Sequence, residues 1–481
     1  MELVTKKAMK CIQEADVIVY DNLIDISLLN YASLNTELIY AGKEASNHYL
    51  SQGSIIELLM DKAREGKYVV RLKGGDPYLF GRGSEEALAL KEAGISYEIV
   101  SGVTSSIAVP AYAGIPVTDR RFVSSCHIIT AHREDEAGID FENISKLEGT
   151  LVFMMGLAKL HHIVQGLTLH GKASDTPVAV LSDGSRYNRR KCVGTLEDIE
   201  EKVKEAKLLP PAIIVVGEVV SLSNELDNFL ERYSDKKLFR KKILLTGTRY
   251  ICNKIKVALA DEGCDIDEIS IIESVPIESD FYNNIEKYIE SHDYLVFSSA
   301  NGIRVFFEKL KELHNVDLRK LSNIKFAVIG KGSAQTLRNY GYIADFVPSS
   351  FSNKDLAVEL CKQLKGEKLL LLRAREASAE LVEELEANKV EYTDVPLYET
   401  FRDYRRTFDI KRLIKNYDYV VVASSITAHT LCEMVEDKAL LEGRVVSIGP
   451  VTTGTCKRLG VEPLMSAREY SVDGIVRALL Q

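Results

Sequence analysis

A chain of 481 residues is too long for one hydrophobic core, and length alone predicts about three domains. With 46% apolar and 27% charged residues, no apolar run near the ~20 residues of a membrane helix and no apolar leader after Met1, a cytoplasmic protein without a membrane span is expected. A net charge of −9 opposes a nucleic-acid partner, and eight cysteines (11, 126, 192, 252, 264, 361, 432, 456) without metal-ligand spacing predict free thiols and no metal site.

Along the chain, β-branched runs alternate with amphipathic stretches, the pattern of parallel α/β domains. Strands are predicted at 17–20, 68–72, 99–100, 151–154, 178–181 and 213–216, each ending in a polar or Gly-containing loop. Before the second of them, Ile55, Leu58, Leu59 and Ala63 recur at helical spacing over 54–64, and Gly66 stops that helix. Ligands of open parallel sheets gather beyond the carboxyl ends of strands, so these loops are where chemistry is expected. The most glycine-dense is 71–83, Arg-Leu-Lys-Gly-Gly-Asp-Pro-Tyr-Leu-Phe-Gly-Arg-Gly, whose paired glycines let backbone approach a ligand. Taken alone, the same string also fits a tight surface turn.

The charged segment 234–242 precedes a new strand at 243–245 and is the linker candidate, a solvated turn within one domain being the alternative. Beyond it lies an internal repeat. Residues 293–301 (Asp-Tyr-Leu-Val-Phe-Ser-Ser-Ala-Asn) match 418–426 (Asp-Tyr-Val-Val-Val-Ala-Ser-Ser-Ile), and 327–330 match 446–449. Offsets of 125 (293 to 418) and 119 (330 to 449) predict a duplicated subdomain, hence two similar α/β lobes with a cleft between them.

Residues 73–83 resemble the signature of the tetrapyrrole (corrin/porphyrin) methylases, and further matches follow at 15–23, 40–43, 102–108, 110–116, 151–156, 176–180, 193–196 and 210–218. Together they cover roughly residues 1–228 and are similar to the uroporphyrinogen-III C-methyltransferases. The resemblance implies S-adenosyl-L-methionine as methyl donor and methylation of two pyrrole carbons of uroporphyrinogen III to give precorrin-2. It places cofactor contacts at Gly74, Gly75, Asp76, Leu79, Thr104, Ser105, Met155 and Gly184, a proton acceptor at Asp21 and a proton donor at Lys43. Read from the residues alone, Asp21 also fits a helix cap and Lys43 a solvated lysine. A substrate with eight carboxylates calls for cations at the mouth of the cleft, and Arg82, Arg120, Arg121, Arg186 and Arg189 are the candidates. The family's first strand and its Gly-x-Gly-Pro-Gly-Asp loop normally precede the helix that begins this sequence at 2–8. An incomplete methylase sheet is therefore expected, from a start codon assigned too late or from a front half that has become structural.

From 243 onward, residues 245–249, 293–301, 328–333, 396–400 and 447–453 resemble uroporphyrinogen-III synthase. That resemblance implies cofactor-free closure of hydroxymethylbilane, with substrate held by hydroxyls at strand ends: Ser298, Ser299, Ser333, Ser424, Thr452 and Thr453. Tyr398 matches the family's tyrosine near the lobe crossing and fits either a proton donor to the departing hydroxyl or a packing residue.

The expected fold is thus α/β throughout: a tetrapyrrole methylase of two α/β subdomains followed by a bilobal α/β synthase-like domain. The expected boundaries are 1–233 (subdomains about 1–101 and 102–233), a linker at 234–242, and 243–481, with lobe one about 243–275 plus 398–481 and lobe two about 276–397. The function implied is bifunctional, in sirohaem or cobalamin synthesis, with a methylase homodimer. The alternatives are a chain active only as synthase, a methylase acting on a later precorrin, and a non-catalytic tetrapyrrole carrier.

Overall fold

Four apolar residues in succession, all buried, call for a strand covered on both faces. They form β1 (Val17–Tyr20), flanked in parallel by β2 (Glu37–Tyr40) and β3 (Val69–Leu72). The structure, a computed structural model, describes residues 2–42, 50–131, 138–313, 317–350 and 352–481. The helix expected at 54–64 spans Gln52–Arg64, because Ser51 caps it by accepting from the Ser54 amide and so sets an earlier start. Residues 99–100 stand outside every sheet. Their apolar character is strand-like, yet among the described residues no neighbour offers them a ladder of backbone hydrogen bonds.

A second sheet holds β4 (Cys126–Thr130), β5 (Thr150–Met154), β6 (Pro177–Ser182), β7 (Arg190–Thr195) and β8 (Ala212–Val216) in the order β4-β5-β8-β6-β7. Because β8 is antiparallel to both β5 and β6, those two run the same way and end on one edge of the sheet. Residues 234–241 are packed: Leu238 is 1% exposed and joins a core with Ile243, Leu245 and Cys252, while the Arg240 amide bonds the Gly263 carbonyl.

The chain divides into two compact units, Met1–Ser270 with Arg405–Gln481, and Ile271–Tyr404. The first gains β9 (Lys242–Leu245) and β10 (Asp265–Glu268) before the chain enters the second. There β11 (Ile272–Pro276), β12 (Tyr294–Phe297), β13 (Lys325–Val328), β14 (Leu369–Ala374) and β15 (Tyr392–Arg402) form the sheet β11-β15-β14-β12-β13, antiparallel only at β11. On its return the chain adds β16 (Tyr419–Val422), β17 (Val445–Ser447) and β18 (Met465–Ser466), which complete the parallel sheet β10-β9-β16-β17-β18.

The repeat seen in the sequence reappears in the architecture. In one unit, β12 leads into the helix Ala300–Glu312, capped by Ser299 accepting from the Gly302 amide. In the other, β16 leads into the helix Ser425–Met434, capped by Ser424 accepting from the Thr427 amide. The second pair of matches likewise gives β13 with Lys331–Asn339 and β17 with Pro450–Arg458. Among the described residues no helix is long and apolar enough to cross a membrane, and no cluster of side chains suits a metal ion.

Candidate active site

The carboxyl end of β1 delivers Asp21. Its Oδ1 accepts from the Leu23 amide at 2.9 Å and its Oδ2 from the Arg71 guanidinium at 3.0 Å. Asp21 therefore closes a tight Asx turn and caps no helix. Arg71 sits on β3 in register with Val19 of β1, which puts its side chain within reach of Asp21 across fifty residues of sequence. Behind it the ionic cluster continues: Glu86 receives Lys73 at 2.9 Å and Gln52 at 3.0 Å, with Arg71 Nε at 3.5 Å. Burial pushes the Lys73 ammonium below its usual range, and the Glu86 carboxylate opposes that shift.

The turn after β3 lies directly against the Asp21 turn. A Cβ at Gly74 would stand 2.9 Å from the Leu23 carbonyl oxygen, and Gly75 adopts φ +76°, a left-handed conformation that favours glycine. Asp76 turns this loop onto the next, its Oδ1 accepting from the Tyr78 amide at 2.9 Å and its Oδ2 from the Gly102 amide at 3.0 Å. A Cβ at Gly102 would overlap the Gly75 carbonyl oxygen. Two residues on, Thr104 caps the helix Ser105–Tyr112. Gly184 follows β6 and packs on that helix so closely that a Cβ would overlap Val109. Met155 follows β5 on the same sheet edge, 52% exposed and at φ 56°.

Gly75 and Asp76 thus lie against the loop that starts this helix at Thr104 and Ser105, Gly74 lies against the Asp21 turn, Gly184 packs on the helix at Val109, and Leu79 is half-buried in the turn begun by Asp76. Lys43 lies outside the described residues. Arg82 grips Glu85 through two 2.8 Å bonds. Of the other arginines expected at a cleft mouth, Arg186 is tied to Asp267 at 3.1 Å, Arg121 to Asp119 at 3.0 Å, and Arg189 lies 3.6 Å over the Phe229 ring, whereas Arg120 is exposed.

In the unit Ile271–Tyr404, Tyr398 projects from β15 with 6% exposure, and its hydroxyl is 2.9 Å from Ser299 Oγ. Burial raises the phenol above its ordinary pKa, so it stays protonated and able to donate at neutral pH. Arg304, on the helix that Ser299 caps, opposes that shift electrostatically. Ser298 stands half-buried at the end of β12, while Ser333 is 5% exposed within its helix. In the other unit, Ser424 is a helix cap within 2.8 Å of Thr427 Oγ1. Thr453 Oγ1 is engaged by Ser447 at 2.6 Å and Ser466 at 2.7 Å, and Thr452 is buried with its hydroxyl unpartnered.

Arg71, Glu86 and Arg304 were not singled out from the sequence. A charge inside the apolar strand run 69–72, directly before the glycine turn, was the signal for Arg71; the other two are ordinary helical charges until the fold brings them inward.

A glycine-dense turn and the Gly102 loop meet before a helix start, a strand-end site of the α/β class, and comparison with known proteins gives that class its family. The family described as Tetrapyrrole (Corrin/Porphyrin) Methylases matches residues 1–200, and Uroporphyrinogen-III synthase HemD matches residues 253–477. A Ruminiclostridium josui protein named "Porphyrin biosynthesis protein HemD" is 35% identical over 486 residues, covering 100% of this chain and 95% of its own. A Methanocaldococcus jannaschii "Uroporphyrinogen-III C-methyltransferase" is 49% identical over 223 residues, 46% of this chain and 92% of its own. A solved structure, the uroporphyrin-III C-methyl transferase of Thermus thermophilus complexed with S-adenyl homocysteine, shares 34% identity over 46% of this chain and 94% of its own, with a TM-score of 0.40. The chain belongs to the family of the porphyrin biosynthesis protein HemD, a tetrapyrrole methylase segment joined to a uroporphyrinogen-III synthase segment.

Proposed function

We propose that this chain performs two consecutive steps of tetrapyrrole synthesis: closure of hydroxymethylbilane to uroporphyrinogen III by the synthase segment, and C-methylation of that product to precorrin-2 by the methylase segment. The observation that carries the reading is the junction of three turns, 21–23, 74–76 and 102–105, at the ends of β1 and β3 and the start of one helix. S-adenosyl-L-methionine, when bound, supplies the methyl group. The exposed backbone of Gly74 and Gly75 and the exposed Met155 side chain suit its close approach, with Leu79, Thr104, Ser105 and Gly184 completing the contact set. Asp21 takes the proton that must leave the macrocycle when a pyrrole carbon is alkylated, and its two hydrogen bonds fix the direction from which it does so. Lys43 donates a proton, by the family pattern, and Arg82 meets a substrate carboxylate.

In the synthase segment Tyr398 protonates the departing hydroxyl of the bilane, with Ser299 holding its phenol. By the family pattern Ser298 and Ser333, and separately Ser424, Thr452 and Thr453, contact substrate. The domains in this reading are 1–233 and 243–481, joined by 234–242, and the methylase segment forms a homodimer. Eight cysteines without a disulfide suit a cytoplasmic enzyme, and the net charge of −9 suits one that binds no nucleic acid.

A coupled assay tests both steps. Hydroxymethylbilane alone yields the type III isomer, and adding S-adenosyl-L-methionine converts it to precorrin-2. Only type I product removes the synthase assignment; no transferred methyl removes the other.

A further inference from the structure

The helix Thr407–Leu413 belongs to the segment matched to the synthase, yet its polar face is spent on the carboxyl ends of β1 and β2 in the methylase segment, all within the unit Met1–Ser270 with Arg405–Gln481. Asp409, 0% exposed, accepts the Tyr20 hydroxyl at 3.1 Å through both oxygens, and Tyr20 is the residue before Asp21. Arg406, 1% exposed, binds Asp409 at 3.2 Å, Asn30 Oδ1 at 2.6 Å and the Ile26 carbonyl at 3.2 Å. Arg412 reaches Asn22 Oδ1, the residue after Asp21, at 2.5 Å, binds Asp409 at 3.4 Å, and stacks 4.6 Å over the Tyr40 ring at the end of β2. Asp21 is therefore bracketed: both of its chain neighbours are held by one helix of the other segment. Arg412, Asp21 and Asn22 also line one cavity of about 70 Å³ together with Arg186, Asp267 and Tyr417.

Burying Arg406 and Asp409, with Arg412 half-buried beside them, is costly unless their charges find partners. Here the partners come from both segments, so the network fixes a relation between them that apolar packing alone would leave free to slide. Tyr20 is part of that fixation. Its burial, and secondarily the charge of Asp409, raise the phenol far above its ordinary pKa, which keeps it a donor.

We infer that Arg412 and Asp409 are positioning residues for the methyl-transfer step, supplied by the synthase segment, so that C-methylation depends on a helix outside the methylase fold. The inference rests on the reading of Asp21 as the proton acceptor. Its action is indirect: the helix orients the turn carrying Asp21, a displacement of about 1 Å at such a group being worth up to ~100-fold in rate.

The test uses the full chain, with Arg412→Ala and Tyr20→Phe, the latter removing a single hydroxyl and keeping the ring. Three quantities are read from each preparation: methyl-transfer kcat and KM for uroporphyrinogen III, the Kd for S-adenosyl-L-methionine, and synthase turnover. The expected result is a fall in methyl-transfer kcat of tenfold or more for Arg412→Ala and about threefold for Tyr20→Phe. KM, cofactor Kd and synthase turnover should stay within twofold, and Arg412→Lys should recover part of the kcat. An unchanged kcat in both variants overturns the inference. So does a parallel loss of kcat, cofactor binding and synthase turnover, which a purely structural role would produce. If the unsubstituted chain transfers no methyl at all, the reading of Asp21 falls and this inference with it, an outcome visible before any variant is made.

Discussion

The candidate groups of the methylase segment and those of the unit Ile271–Tyr404 are held in opposite ways. Asp21 is part of a charged chain running through Arg71 to Glu86 and Lys73, pinned against glycine turns in which backbone touches backbone. The Tyr398 hydroxyl is hydrogen-bonded to a neutral group, Ser299, whose other duty is to cap a helix, with the charge of Arg304 acting on it only through space. Fixed charge suits a proton leaving a ring at the moment a cationic donor loses its methyl group. A neutral donor suits protonation of a leaving hydroxyl without setting a permanent charge beside a polyanion. The same fold class serves both: Asp21 and Ser299 follow the ends of β1 and β12, while Tyr398 reaches Ser299 from within β15.

The largest expected effect breaks the charged side of this contrast: Asp21→Asn should lower methyl transfer by roughly 100-fold or more while synthase turnover holds, measured in one sample with each substrate. Gly102→Ala comes next. Its Cβ has no room beside the Gly75 carbonyl, and displacing that turn should weaken S-adenosyl-L-methionine binding roughly tenfold by calorimetry. On the neutral side, Tyr398→Phe should lower synthase turnover by more than threefold, and a smaller change would return Tyr398 to a packing role. Because burial raises the Tyr398 phenol, its proton is retained as pH rises, so synthase turnover should show no falling limb from this group below pH ~10. The smallest effect separates the two caps. Ser299→Ala and Ser424→Ala should each cost about 1 kcal/mol of stability in thermal unfolding, and the first should also lower synthase kcat a few-fold through Tyr398, whereas the second, a substrate contact, should act on KM.

Much of this arrangement was legible beforehand. The strands at 17–20, 151–154, 178–181 and 213–216 lie within one residue of β1, β5, β6 and β8, because consecutive buried apolar residues are read without knowing their neighbours. Residues 99–100 show the limit of that logic: they have the same composition, but a strand exists only where another backbone answers it. The repeat was legible down to its serine caps, since 125 residues separate Ser299 from Ser424 as they separate Asp293 from Asp418. What stayed hidden were partners chosen by register and packing. Arg71 finds Asp21 because β1 and β3 are adjacent and in step, and nothing in the sequence around Arg406 and Asp409 marks either charge as buried.

The two crossings between units, at 270–271 and 404–405, bear on how the protein is made. β11 pairs antiparallel with β15, so the ends of the inserted unit lie side by side, with the Asp403 amide bonding the Ile271 carbonyl. During synthesis the insert can close on itself while β9 and β10 still wait for β16, the strand that completes their sheet beside β9. Residues beyond 404 therefore finish the earlier unit, and a nascent chain exposed only as far as residue 404 carries a closed insert while β9 and β10 still lack β16. The helix that grips the Asp21 turn follows just after that point, so the Asp21 turn, though translated earlier, is set in its final form only once residues beyond 404 are made.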